Sequence, residues 1–204
     1  MKMSDILEYI LNMIPYMLLA LPIILVTRII AFFLHKKKNI WTTWEHEVAI
    51  CLFLLFIVGL ASQTIIPKFE IAGNEIHILH TGISGRINFI PGQVFADTWQ
   101  AFNNGYPSYF IINFLGNIGM FIPIGFLVPL LWNRSSVKKI ALIALSISLF
   151  IEICQIPQAR GSDVDDLWLN TLGGVIGALL YYGLTKIPAL DRAATKFKMK
   201  RNHF

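Results

Sequence analysis

Charge is scarce in this chain: only 14% of its residues are Asp, Glu, Lys or Arg, where an ordinary soluble domain carries roughly 25%. Cysteine is nearly absent. Cys51 and Cys154 each sit inside an apolar run, which excludes a disulfide framework or a thiolate metal site and reads both as buried small hydrophobes. Histidine offers little more. His77 and His80 are the nearest approach to a metal-ligand spacing, and two loop histidines facing solvent are the simpler reading. No metal and no cofactor are expected. The N-terminal stretch lacks a small-residue cleavage site, and its apolar run is too long for a signal peptide.

Apolar residues are abundant, at 55% of the chain. They fall into five runs, about 7–34, 48–66, 109–132, 138–157 and 167–187, each near or above the roughly 20 residues that a spanning helix needs. The expectation is an all-α polytopic membrane protein, a single domain over 1–204. Pro15 and Pro22 interrupt the first run, and Arg28 near its end is expected to snorkel to the headgroups.

The net charge of +5 does not point to nucleic acid, because the basic residues form short clusters between apolar runs. Twelve of the 17 Lys and Arg residues lie in three such places, 36–38, 134–139 and 186–201. The positive-inside rule puts these in the cytoplasm, with the N-terminus outside and the C-terminus inside. The basic tail reads as a topology determinant that also meets anionic lipid.

The long connector 67–108 then faces outward. FEIAGNEIHIL alternates about Gly73-Asn74 as a small hairpin would. RINFIP follows, then an aromatic-rich stretch with Trp99, Phe102, Tyr106, Tyr109 and Phe110, which suits a cap lying on the outer surface within an interfacial belt.

Polar residues concentrate at the outer ends of the last three runs. Asn113 and Asn117 are four apart and share a helix face, as do Glu152 and Gln155, three apart. Asp163, Asp166 and Asn170 follow at near-helical spacing, after Arg160 in the connector. At about 1.5 Å per residue, Asn113, Glu152 and Asn170 lie about 5–6 Å inside their helix ends, and Asn117 about 12 Å. Three helices thus bring polar groups to one layer. The plainer readings are helix capping for Asp163, Asp165 and Asp166 and interhelical hydrogen bonding for the asparagines. Gly173 with Gly177, and Gly174 with Ala178, are small-xxx-small pairs for close packing. Glu152 resists a plain reading. A carboxylate part-way into the membrane wants a partner, and Arg160 is the nearest in sequence, in a wet cavity that holds both. An unpaired Glu152 would instead be a candidate general acid or base.

Three blocks here resemble the VanZ-like family of bacterial membrane proteins: RINFIP at 86–91, NFLGNIGMFIPIGFLVP at 113–129, and EICQ followed by RGSDVDDLWLNTLGGVIG. Gly92, where the family often has an aromatic, and Gly161-Ser162 after the arginine depart from its pattern. The first two spans and the tail carry no such block. The resemblance implies a multi-pass protein of the bacterial plasma membrane, of the kind named for resistance to the glycopeptide teicoplanin, with no established reaction. The positions it carries over are Asn113, Gly116, Asn117, Pro123, Gly125, Glu152, Gln155, Arg160, Asp163, Asp166, Asn170 and Gly173.

Three functions follow as expectations. In the first, the polar layer binds an amphiphile, either a lipid-linked cell-wall precursor or the acyl chain of a lipoglycopeptide. Arg160 would pair with phosphate or carboxylate, and Asn113, Asn117, Gln155 and Asn170 would hold the headgroup. In the second, Glu152 acts as general acid or base on a lipid headgroup, with Asp163 and Asp166 as ligands of a divalent cation. No serine, cysteine or histidine nucleophile is evident in the layer. In the third, the chain is a structural partner of another envelope enzyme.

Overall fold

The computed structural model describes residues 11–37, 40–67, 69–72, 75–78, 87–105, 111–133, 135–158 and 162–201. It is mostly helical. Four helical segments are long and apolar enough to cross a membrane: α1 (Ile14–Lys37), α2 (Trp44–Thr64), Asn113–Leu131 and α6 (Val164–Leu184). The third consists of a π-helical turn (Ile111–Leu115) running into α4 (Gly116–Leu131). The expected span at 138–157 forms α5 (Val137–Gln155), 19 residues that include Lys138, Lys139 and Glu152.

The helix ends differ from the apolar runs because caps, not hydropathy, set them. Asp163 accepts from the Asp165 N–H and starts α6 at Val164, so Asp165 and Asp166 form its first turn, where acids oppose the helix dipole favourably. Thr43 likewise starts α2 at Trp44, with Glu45 and Glu47 in the first turn. His35, Lys36 and Lys37 extend α1 past its apolar run, at the end where cations are favoured.

The core forms where α4, α5 and α6 meet. Ile124, Leu131, Ile140, Ala144, Leu169 and Ala178 are all fully buried there. α4 and α6 approach closely because glycines face backbone across the contact. A Cβ on Gly125 would lie 2.0 Å from the Gly174 carbonyl oxygen, one on Gly173 2.1 Å from that of Ile118, and one on Gly177 2.1 Å from that of Ile122. Gly174 in turn faces the Ala144 side chain of α5. Pro123 and Pro129 lie within α4. α1 packs on α2 and leaves most of its apolar surface uncovered.

Arg28 does not snorkel. Its guanidinium donates to Glu47 Oε2 of α2 from Nε at 3.0 Å and Nη2 at 2.8 Å, a two-pronged bond that ties α1 to the bundle. Cys51 and Cys154 are free and half-buried, less enclosed than expected.

The basic clusters gather at one end. The strands β1 (Ile40–Trp41) and β6 (Lys200–Arg201) pair antiparallel. Just before β6 in the chain come α7 (Pro188–Ala194) and a 3-10 turn, Thr195–Phe197. Thr43 Oγ1 donates to the Lys196 carbonyl at 2.5 Å, buried His46 Nδ1 lies 2.6 Å from the Phe197 carbonyl, and Asn133 Nδ2 donates to the Met199 carbonyl at 3.1 Å. The tail is therefore a docked strap, which its composition alone did not indicate.

At the opposite end, β2 (Phe69–Ala72) pairs antiparallel with β3 (Glu75–Ile78). Gly73 and Asn74 between them lie outside the described residues. The connector also holds two elements its sequence did not suggest. β4 (Ile87–Asn88) pairs parallel with β5 (Ser162–Asp163), and α3 (Gln93–Asn103) follows.

Candidate functional site

A polar layer occupies this second end, assembled from β4, α4, α5, β5 and α6. Glu152, only 5% exposed, is its centre on α5. Its Oε2 accepts from Ser162 Oγ at 2.8 Å and from the Asp163 N–H at 3.0 Å. Arg160, the partner expected for Glu152, lies outside the described residues. β5 thus holds Glu152 by a hydroxyl and a backbone amide, groups a search for opposite charge passes over.

Asp163 serves two elements. It caps α6, and both its oxygens accept from Asn88 Nδ2, at 3.1 and 3.2 Å. Asn88 comes from RINFIP, so that short block supplies the link between the outer connector and α6. Asp166 accepts from Asn117 Nδ2, which also donates to the Asn113 carbonyl. Ser148 Oγ donates to the Asp166 carbonyl at 3.3 Å and accepts from Asn170 Nδ2 at 2.9 Å. Asn170 is 4% exposed, and its Oδ1 is buried with no hydrogen-bond partner among the described residues.

Gln155 turns away from Glu152 and donates to the Thr64 carbonyl at the end of α2, at 3.2 Å. Gln158 does the same for Ile65 while also donating to Cys154 O. Both satisfy carbonyls that a helix end leaves open. Gln155 is therefore brought to the α2–α5 junction rather than to the carboxylates.

Asp165 corrects a further expectation. It does not cap its own helix. Its oxygens accept from the Gly92 N–H at 2.6 Å and the Val94 N–H at 2.8 Å, and Trp168 Nε1 donates to it at 2.8 Å. The N-cap of α3 is Gly92, which has no side chain to cap with and a φ of 84°. Glycine fits that left-handed conformation, and Asp165, only 1% exposed, supplies the missing acceptor from a distant part of the chain. Phe95 stacks on Trp168 with centroids 5.9 Å apart, and Phe114 lies against both rings.

Asn88, Ser148, Ser162 and Trp168 are thus part of the layer although sequence reasoning passed over them, and Asp165, read there as a cap of its own helix, joins them. Ser148 was accessible: it stands four residues before Glu152, on the same face of α5. Ser162 corrects the expectation that the layer holds no serine. Asn88, Asp165 and Trp168 depended on which distant segment meets α6, and spacing alone carries no such signal.

Among the described residues, no group of three or more His, Cys, Asp and Glu is placed to hold a metal ion. His77 falls in β3, and His80 lies outside the described residues, as do Tyr106, Tyr109 and Phe110. A shallow apolar groove of about 340 Å³, lined by Ile176, Leu179, Leu180, Gly183 and Leu184, lies towards the basic end of α6 and away from the polar layer.

Residues 48–186 match the model of a family described as VanZ/LLP1. The match begins within α2, so the second span lies mostly inside it, contrary to the narrower resemblance of the sequence blocks. α1 and the docked tail lie outside it. No curated protein and no solved structure matches the chain.

Proposed function

The chain belongs to the VanZ/LLP1 family, and from that premise we propose a plasma-membrane protein of five spans whose outer polar layer engages the headgroup of an amphiphile. α5 is the fifth span. Chain alternation supports this, because α4 and α6 both run from the polar end to the basic end and α5 must return. The clustering of Lys36, Lys37, Lys196, Lys198, Lys200 and Arg201 at one end supports a cytoplasmic basic end and an outer polar end.

The observation that carries the binding reading is Asn170. A layer of interhelical glue would close on itself, yet here a buried acceptor is left open, at a cost of about 1–3 kcal/mol. Such a group is completed by an ordered water or by a polar group of a bound ligand. Asn117 and Asn113 border this layer, Arg160 in the adjoining connector supplies a cation for phosphate or carboxylate, and uncovered Leu149, Phe150 and Ile153 of α5 give an acyl chain an apolar wall. A lipid-linked cell-wall precursor or a lipoglycopeptide has this chemistry. Holding either one lowers susceptibility to glycopeptides such as teicoplanin.

One contact favours a second reading, a membrane enzyme acting on a lipid headgroup. The Ser162 hydroxyl donates to Glu152 at 2.8 Å, the geometry in which a carboxylate takes a proton from an attacking hydroxyl. One experiment separates the readings. Wild type, Glu152→Gln, Ser162→Ala and Arg160→Ala are expressed in a susceptible Gram-positive host. Membrane-inserted protein, the teicoplanin inhibitory concentration and the lipid-linked precursor pools are measured together. Binding predicts a raised inhibitory concentration with unchanged lipid species, and sensitivity to Arg160→Ala. Catalysis predicts altered lipid species that both Glu152→Gln and Ser162→Ala restore at equal protein level. No change with wild type refutes both.

A further inference from the structure

We propose that α3 is an interfacial helix whose aromatic edge rests in the bilayer leaflet at the polar end of the bundle. α3 has three distinct faces. Val94 is buried against the protein, and Thr98 and Ala101, on the same side, are half-buried. Gln100 and Asn103 are exposed on the far side. Between them, Phe95, Trp99 and Phe102 follow one another at helical spacing and stand 56%, 69% and 64% exposed. Phe89 and Ile90, just before the helix, are exposed as well.

Lipid is the occupant that these facts select. The Asp165 carboxylate grips the first turn of α3 and belongs to the first turn of α6. α3 is therefore held level with the end of a membrane-length apolar helix. The aromatic edge is continuous with the apolar surface of a candidate span: Phe95 packs on Phe114, whose neighbour Leu115 is exposed at the start of that span. α3 carries no Lys or Arg, and Asp97 is its one charge, so an acidic or basic protein partner finds little to pair with. A helix with aromatic residues on one side and amides on the other lies about 5–10 Å into the headgroup boundary. Tryptophan suits that depth because its ring is apolar and its N–H is wet. Placed so, α3 keeps the polar layer at headgroup level. This placement holds whichever leaflet that is, and it does not depend on what the layer binds.

The test uses the full chain in vesicles of phosphatidylglycerol and phosphatidylethanolamine, with Cys51→Ala and Cys154→Ala as background. Phe102→Cys in the aromatic edge and Gln100→Cys in the polar face each receive a nitroxide label. Collision with oxygen and with a water-soluble nickel complex is compared. The expected result is an oxygen preference at position 102 and a nickel preference at position 100. Nickel preference at both positions overturns the proposal by placing the edge in water. A label at 102 shielded from both reagents also overturns it, since protein then covers the edge. A second measurement needs no cysteine background. In a Trp41→Phe, Trp44→Phe background, because both of these are exposed at the basic end, Trp99→Phe should remove most of the tryptophan quenching by lipids brominated near the headgroup, and little of that by lipids brominated at the chain ends. Equal loss in both lipids overturns the interfacial depth.

Discussion

Replacing Gly173 by alanine should separate α4 from α6, whereas the same change at Gly119 should not. A Cβ at position 173 would stand 2.1 Å from the Ile118 carbonyl oxygen and 3.0 Å from the Phe121 Cβ. Neither neighbour is the free end of a flexible side chain. An ordinary carbon–oxygen contact is about 3.2 Å, so the helices must part by roughly 1 Å, a gap that forfeits about a quarter to a half of each dispersion contact across it. Overpacking of this kind costs about 1–3 kcal/mol and occasionally more, and a backbone obstacle argues for the upper end, about 3 kcal/mol. At Gly119, on the same α4, nothing lies within 4 Å. There alanine meets no obstacle and gains helix propensity, up to about 1 kcal/mol. The assay is detergent-titrated unfolding in mixed micelles, followed by tryptophan fluorescence, on both variants and wild type. The two substitutions should shift the midpoint in opposite directions. If Gly173→Ala unfolds with wild type, α4 and α6 are not in backbone contact and the packing argument fails.

Asp165→Ala should free the Gly92 and Val94 amides and cost about 1–3 kcal/mol; hydrogen exchange should quicken at 92–94 while amides in the middle of α4 and α6 stay protected. Arg28→Leu should cost about 1.5–3 kcal/mol by stranding Glu47, and Arg28→Leu with Glu47→Leu should recover most of it; a double-mutant cycle in micelles reads the coupling, and additive losses would refute it. Asn170→Leu exchanges one hydrogen bond and one open acceptor for apolar contact, so stability should hold within about 1 kcal/mol. The resistance phenotype should be lost at equal protein level, and a phenotype that survives would return Asn170 to plain helix packing.

The mostly helical, multi-pass character and the place of the long helices were legible, because each follows from local composition and a fixed rise per residue. Small-residue spacing likewise marked Gly173 and Gly177 as a packing stripe, and those glycines do face α4 backbone. What stayed hidden was partnership at long range. Glu152 invited a search for a cation, yet its described partners are a hydroxyl and a backbone amide of β5. Arg28 looked like a residue reaching for headgroups because Glu47, in a different run, carries no sign of facing it. Asp165 looked like a cap for the helix it begins, and a residue at that position has the right chemistry for capping. It caps a different helix because Gly92 cannot cap its own. α3 itself lay inside a stretch whose aromatic content was noticed and whose helical spacing was not.

These contacts bear on what the polar layer is for. Structural polar groups in a membrane bundle have one task, to leave no donor or acceptor unpaired. Asp163, Asp165, Asn117 and Gln155 work toward that end: each bonds a partner from another segment and ties β4, α3, α4 and α2 to the ends of α5 and α6. They form the frame. Asn170 Oδ1 is left unpaired among the described residues, although the residue is only 4% exposed. Its side chain belongs to α6 and is held by the atom it does commit, Nδ2 to Ser148 of α5. A side chain fixed by one atom and open at the other is preorganised for something that arrives later. The frame therefore explains the fold without any ligand, while the open Asn170 oxygen is an acceptor that these contacts leave over. For that reason the decisive substitution is Asn170→Leu, which removes the open atom, and not changes to the aspartates, whose loss would be read first as misfolding.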